Sequence, residues 1–160
     1  MATSFMNFDK KYAVCGSSKL KATTAGHIYN ILVADAILEN GAVIGKGALA
    51  EGALDVYTQA AAPAGFAGKV LSQAANGNYY VEVTDAAGAV LVLQVPMIYE
   101  DYVTRMTHES NFYNVKDDVV RAYELHNGDI FELSAEGFTA TPSVGATVSV
   151  DADTKKLKAA

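Results

Sequence analysis

Apolar and polar residues alternate along most of this chain, and short turn-forming clusters separate the alternating runs. The segment Val119–Ser134 turns at His126-Asn127-Gly128, and the segment Val144–Leu157 turns at Asp151–Thr154. A period of two on both sides of such turns predicts antiparallel strands. Upstream, Ile28–Leu38 is rich in branched residues and runs through Glu39-Asn40-Gly41 into Ala42–Ile44, which predicts a hairpin over 28–47, with a helix over Ile31–Ile37 as the alternative. Asp55–Thr58 predicts a short strand, and 60–68 a loop, because Pro63, Gly65 and Gly68 break what its alanines would otherwise favour as helix. Val70–Ala75, Asn78–Val83 and Ala89–Val95, separated by Asn76-Gly77 and Asp85–Gly88, predict a three-stranded meander ending before Pro96. Tyr99, Tyr102, Val103 and Met106 fall at helical spacing, so 98–114 predicts one short helix or irregular crossover. Residues 1–26 carry no sustained period. The expected fold is therefore mainly β: a single antiparallel meander or barrel-like domain over 27–160, with an extended N-terminal arm over 1–26.

The length of 160 residues fits one domain, long enough to bury a core without disulfide staples. Hydrophobic residues make up 51 %, yet much of that share is alanine, so the core is thinner than the fraction implies. Cys15 is the single cysteine; no intrachain disulfide can form, and a small buried thiol folded in a reducing cytoplasm is expected. The opening residues lack a basic segment followed by an apolar one, so no secretory signal is expected, and no apolar run approaches membrane-span length.

Charge is unevenly placed. Residues 1–21 carry Lys10, Lys11, Lys19 and Lys21 against Asp9, a balance of +3, and Lys155, Lys156 and Lys158 add +3 at the other end. Between them, 22–154 hold 5 basic and 17 acidic residues, a balance of −12. So acidic a body repels phosphate backbones, and no nucleic-acid partner is expected. The basic, aromatic segment with Phe5, Phe8, Lys10, Lys11 and Tyr12 is a candidate contact for an acidic partner surface.

Candidate chemistry is thin. Gly41–Gly47 has three residues between its first two glycines and Gly47 after Lys46, which does not make a phosphate loop. His27, His108 and His126 have no second ligand at metal spacing and read as surface or turn histidines, so neither a metal nor a cofactor is expected. Asp151-Ala-Asp153 opens like a calcium loop, but Lys155 and Lys156 follow where oxygen ligands are required. Ser17 and Ser18 sit in no nucleophile elbow, and the pairs Glu100-Asp101 and Asp117-Asp118 read as solvated turn or strand-end residues. No enzymatic activity is expected. Arg121 and Tyr123 share one face of a predicted strand, either as an interface hot spot or as a cation stacked on its neighbour in a barrel wall.

The opening Ile37–Gly45 segment, Asp55-Val-Tyr57, the mid-chain meander, the stretch Val120–Ser134 with Arg-Ala-Tyr and Gly-Asp-Ile-Phe, and the terminal hairpin to Leu157 follow one another in an order that resembles the head decoration, or cement, proteins of tailed bacteriophages. The resemblance covers roughly residues 28–158. It implies a noncatalytic virion protein, made in the host cytoplasm, that binds the outer face of the capsid and bridges subunits of the major capsid protein. Self-association on the capsid is possible under it, and no membrane is involved. The alternative is a β-domain that binds a small ligand or glycan on a platform of Tyr79, Tyr80, Tyr99 and Tyr102.

Overall fold

The computed structural model describes residues 5–6, 10–52, 54–95 and 109–160. Among these the elements run β1 (Phe5–Met6), β2 (Cys15–Gly16), α1 (Ala22–Ala25), β3 (Ile28–Leu32), β4 (Ile37–Leu38), β5 (Val43–Leu49), β6 (Val56–Ala60), β7 (Ala67–Gln73), β8 (Tyr79–Asp85), β9 (Ala89–Val92), β10 (Phe112–Val115), β11 (Val119–Glu124), β12 (Ile130–Leu133), β13 (Thr147–Val150) and β14 (Leu157–Ala159). The protein is mainly β, as the alternating pattern predicts, and contains a closed barrel and one short helix.

The barrel closes in the order β11-β3-β6-β5-β9, with β9 paired back onto β11. Its neighbours are antiparallel except β3 and β6. The two-residue period sends Ile44, Val90, Val92, Val120 and Ala122 into the barrel interior with Ile31. Val43, Ala89 and Leu91 point the other way, into a second core. A six-stranded sheet, β14-β13-β7-β8-β12-β2, covers that side with Val70, Val81, Val83, Phe131, Leu133 and Leu157. Burying each large apolar side chain contributes about 1.5–3 kcal/mol relative to exposure, so the two cores carry most of the stability. A third, small sheet has the order β1-β10-β4.

The pairing departs from the sequence expectation at several points, each for a visible reason. Residues 89–92 do not extend a meander with β8. They cross to the barrel between β5 and β11, and burial on both faces explains their unbroken apolar run. The Asn127-Gly128 turn forms, but no hairpin: Gly128 N and Asp129 O bond to Val83 of β8, so β12 joins the six-stranded sheet while β11 stays in the barrel. The predicted hairpin over 28–47 is also absent. β3 pairs with β11 and β6, β4 pairs with β10, and Asn40 is a buried node instead of an exposed turn tip. The hairpins at Asn76-Gly77 and Asp151–Thr154 form as expected.

The short helix lies at 22–25; of the 98–114 segment, 98–108 fall outside the described residues, 109–111 make a tight turn and Phe112–Val115 is strand. The arm expected over 1–26 is corrected for its second half. Tyr12, Ala13, Leu20 and Ala22 are buried, and β2 pairs with β12 as an edge of the large sheet.

At the β7–β8 turn, Asn76 Nδ2 and Asn78 Nδ2 donate to Glu132 Oε1 at 3.0 and 2.9 Å. These two bonds hold the Glu132 carboxyl below its usual range against the opposing effect of burial. A carboxylate depressed in the folded state adds stability that is present above the unfolded value, about 4.3, and is lost as pH falls through the folded value. Glu132→Gln is therefore expected to melt below the parent at neutral pH, with the gap closing at an acid pH below the lowered folded value, where the protonated acid and the amide are isosteric. A gap of equal size at both pH values in thermal melts would refute this role.

Candidate interaction surface

Strand β11 positions the residues singled out in the sequence. Val120 and Ala122 fill the barrel, so Val119, Arg121 and Tyr123 face outward. Arg121 stands opposite Asn30 of β3 and is exposed, with no ion pair among the described residues. Tyr123, two residues on, is half-buried and packs against the core between barrel and sheet together with Leu93. The two side chains share a face, yet only Arg121 is free to meet a partner.

After β9 the chain runs along this face as Leu93-Gln94-Val95. Leu93 N donates to Arg121 O at 3.0 Å, and Arg121 N donates to Gln94 Oε1 at 3.2 Å. Asn40 clamps Gln94 from beneath through its side-chain amide to Gln94 O and from Gln94 N, at 2.9 and 3.0 Å. Asn114 in turn donates to Asn40 Oδ1 and Leu38 O. Two depressions flank the clamped segment: one of about 270 Å³ bordered by Asn30, Val119 and Arg121, and one of about 320 Å³ bordered by Val14–Ser18 and Asn40. Val95 is 77 % exposed and Val119 42 %, so Arg121 projects from an apolar rim.

The other expected contacts are scattered. Lys10 and Lys11 are exposed, and Lys10 Nζ lies 5.2 Å from the Tyr12 ring centroid. Tyr12 itself is only 2 % exposed, its ring 4.8 Å from that of Tyr113, so burial withdraws it from any surface role. Phe5 lies on β1 opposite Tyr113, and Phe8 falls outside the described residues. At the other end, Lys155 and Lys156 are turned inward to Asp35 and Glu39, at 3.7 and 3.2 Å.

Other expected sites resolve clearly. Tyr79 is buried edge-on to Phe138, while Tyr80, the next residue on the strand, faces the opposite side under Lys19; the two do not make one platform, and Tyr99 and Tyr102 lie outside the described residues. Cys15 is buried, and burial followed by the nearby Glu132 charge pushes its thiol far up, away from thiolate chemistry. Gly45 and Gly47 sit in β5, where any Cβ would overlap Ala61 O or Thr58, so they serve close strand approach. Asp151 accepts from Thr154 N and Oγ1, which lower its carboxyl and close a turn.

One grouping was missed. The pairing of β3 with β11 continues to Glu124 N donating to His27 O at 3.0 Å, which sets His27 beside Glu124. His126 follows two residues later, its ring 6.0 Å from that of His27. The histidines expected to stand apart therefore meet at the barrel rim, next to a carboxylate. Tyr29 donates to Glu124 Oε2 at 3.1 Å; partial burial, then this bond and the Glu124 charge, push its phenol up, so it stays a proton donor. Lys46 Nζ fills the angle between the Tyr29 and Tyr57 rings at 4.0 and 4.5 Å from their centroids. No family model, no curated protein and no solved structure matches the chain.

Proposed function

We propose that this protein works without catalysis as a binding protein, and that its partner is the outer surface of a tailed-bacteriophage head, which it decorates and stabilises by bridging subunits of the major capsid protein. The observation that carries the binding role is Arg121: an exposed cation without an internal partner among the described residues, rising from the apolar rim of Val95 and Val119 beside the depression it borders with Asn30. Arginine beside apolar surface is the composition of interface hot spots. The sequence resemblance supplies the capsid as partner. The −12 balance of the body supports an outer location, since packaged DNA repels it. Lys10 and Lys11 are exposed and available for a second, salt-sensitive contact.

Cosedimentation with purified heads stripped of the protein tests this reading. Arg121→Ala is expected to leave melting within about 0.5 kcal/mol of the parent, as exposed substitutions do. Capsid affinity should fall by about 2 kcal/mol or more, roughly thirtyfold. Replacing Lys10 and Lys11 with glutamine should weaken binding further at low salt and little at high salt. Undiminished occupancy by the Arg121 variant would remove the surface from the interface, and heads that never carry the protein would remove the capsid as partner.

A further inference from the structure

We propose that His27, Glu124 and His126 form a binding site for a zinc-class divalent cation at the rim of the barrel. One ligand atom from each lies within 4.8 Å of the other two. His27 Nδ1 and Glu124 Oε2 are already 2.9 Å apart. Ligands about 2.1 Å from a tetrahedral zinc stand roughly 3.4 Å from one another. The near pair opens slightly and the far one closes by side-chain rotation, which is accessible because the three side chains are 54, 30 and 26 % exposed.

Three further observations favour a cation here. His126 Nδ1 is buried without a hydrogen-bond partner, its nearest carboxylate oxygen, Asp129 Oδ2, 3.8 Å away. Coordination resolves that deficit in either ring orientation: Nδ1 ligates directly, or Nε2 ligates while Nδ1–H turns to Asp129 as an outer carboxylate. Asp129 is buried and fixed by Lys21 N and His126 N at 3.1 and 2.9 Å, so it is placed for that role. Tyr29 donates to Glu124 Oε2 and orients the carboxylate, a positioning residue of the kind that surrounds metal ligands.

Two imidazoles and one carboxylate select zinc and its neighbours over magnesium or calcium, which take all-oxygen sets. Three protein donors leave a fourth position at the exposed His27 side, for water or for a side chain of a bound partner. The cation would clip the start of β3 to the link between β11 and β12, where the chain passes from barrel to sheet.

Zinc chloride titrated calorimetrically into the metal-free full-length chain tests the site, with cobalt(II) as a visible probe of tetrahedral coordination. Saturable binding of one equivalent, a raised melting temperature and tetrahedral cobalt bands are expected. His27→Ala and His126→Ala should each weaken binding beyond the roughly 10- to 100-fold that outer-shell changes cost, and Tyr29→Phe within that range with shifted cobalt bands. Because His27 is exposed, its variant folds and carries the test even where His126→Ala does not. Absence of saturable binding, or parental affinity in His27→Ala, overturns the site.

Discussion

Gly41→Ala is expected to destabilise the protein by about 2–5 kcal/mol, far more than an ordinary turn glycine would. Two costs combine. Gly41 sits at φ +82°, where a side chain is strained by about 1–2 kcal/mol. It is also buried, and an added Cβ would overlap Leu133 Cδ1 and press on Cys15 Cβ at 3.4 Å; overpacking of this kind costs about 1–3 kcal/mol. For a chain of this size each kcal/mol lowers the melting temperature by roughly 2–4 °C. Gly128 is the control, since it shares a positive φ, +90°, but has open space around its Cα. Gly128→Ala should therefore lose only the strain. Equal losses at the two glycines in thermal or urea melts would show that the packing around Gly41 yields.

That contrast also explains what the sequence conveyed. Both glycines follow asparagine and both read as exposed hairpin turns, because local turn chemistry is alike at the two sites. Their environments differ through distant partners: Asn40 is buried by Gln94 and Asn114, while Asn127 lies on the surface and accepts from Ala86 N. The two-residue period correctly marked strands, their burial faces and a β fold, since those are local properties. It did not choose neighbours. Ala89–Val92 looks the same whether it extends a meander or is buried on both faces between two cores. The site follows this logic. Arg121 and Tyr123 are two residues apart on one strand, so their shared face was legible. What separates their roles, the packing of Tyr123 on the second core, was not. His27 and Glu124 are 97 positions apart and become neighbours only through the β3–β11 register, so no spacing along the chain could announce them.

Leu133→Ala is expected to cost about 2–5 kcal/mol, and its coupling to Gly41 tests how the two parts of the molecule are joined. Leu133 is fully buried on β12, pairs with Cys15 of β2, and fills the space left by two glycines, since a Cβ at either Gly41 or Gly137 would collide with it. Truncation leaves a cavity lined by the N-terminal segment, the start of the barrel and the sheet. Such a cavity is where the Gly41→Ala methyl would fit. The double variant Gly41→Ala/Leu133→Ala should therefore be less destabilised than the two single losses added, by about 1–2 kcal/mol, because the steric part of the glycine substitution disappears and only its backbone strain remains. Simple additivity in denaturant melts would sink this account and place the cost of Gly41→Ala entirely in its φ. The coupling bears on binding as well. β2 holds residues 12–16 against the sheet through Leu133 and Ser134, whose Oγ accepts from Val14 N at 2.9 Å, and Lys10 and Lys11 precede that segment directly. If the two lysines contact the capsid as proposed, Leu133→Ala should weaken the salt-sensitive part of binding at temperatures where the barrel, and with it Arg121, remains folded.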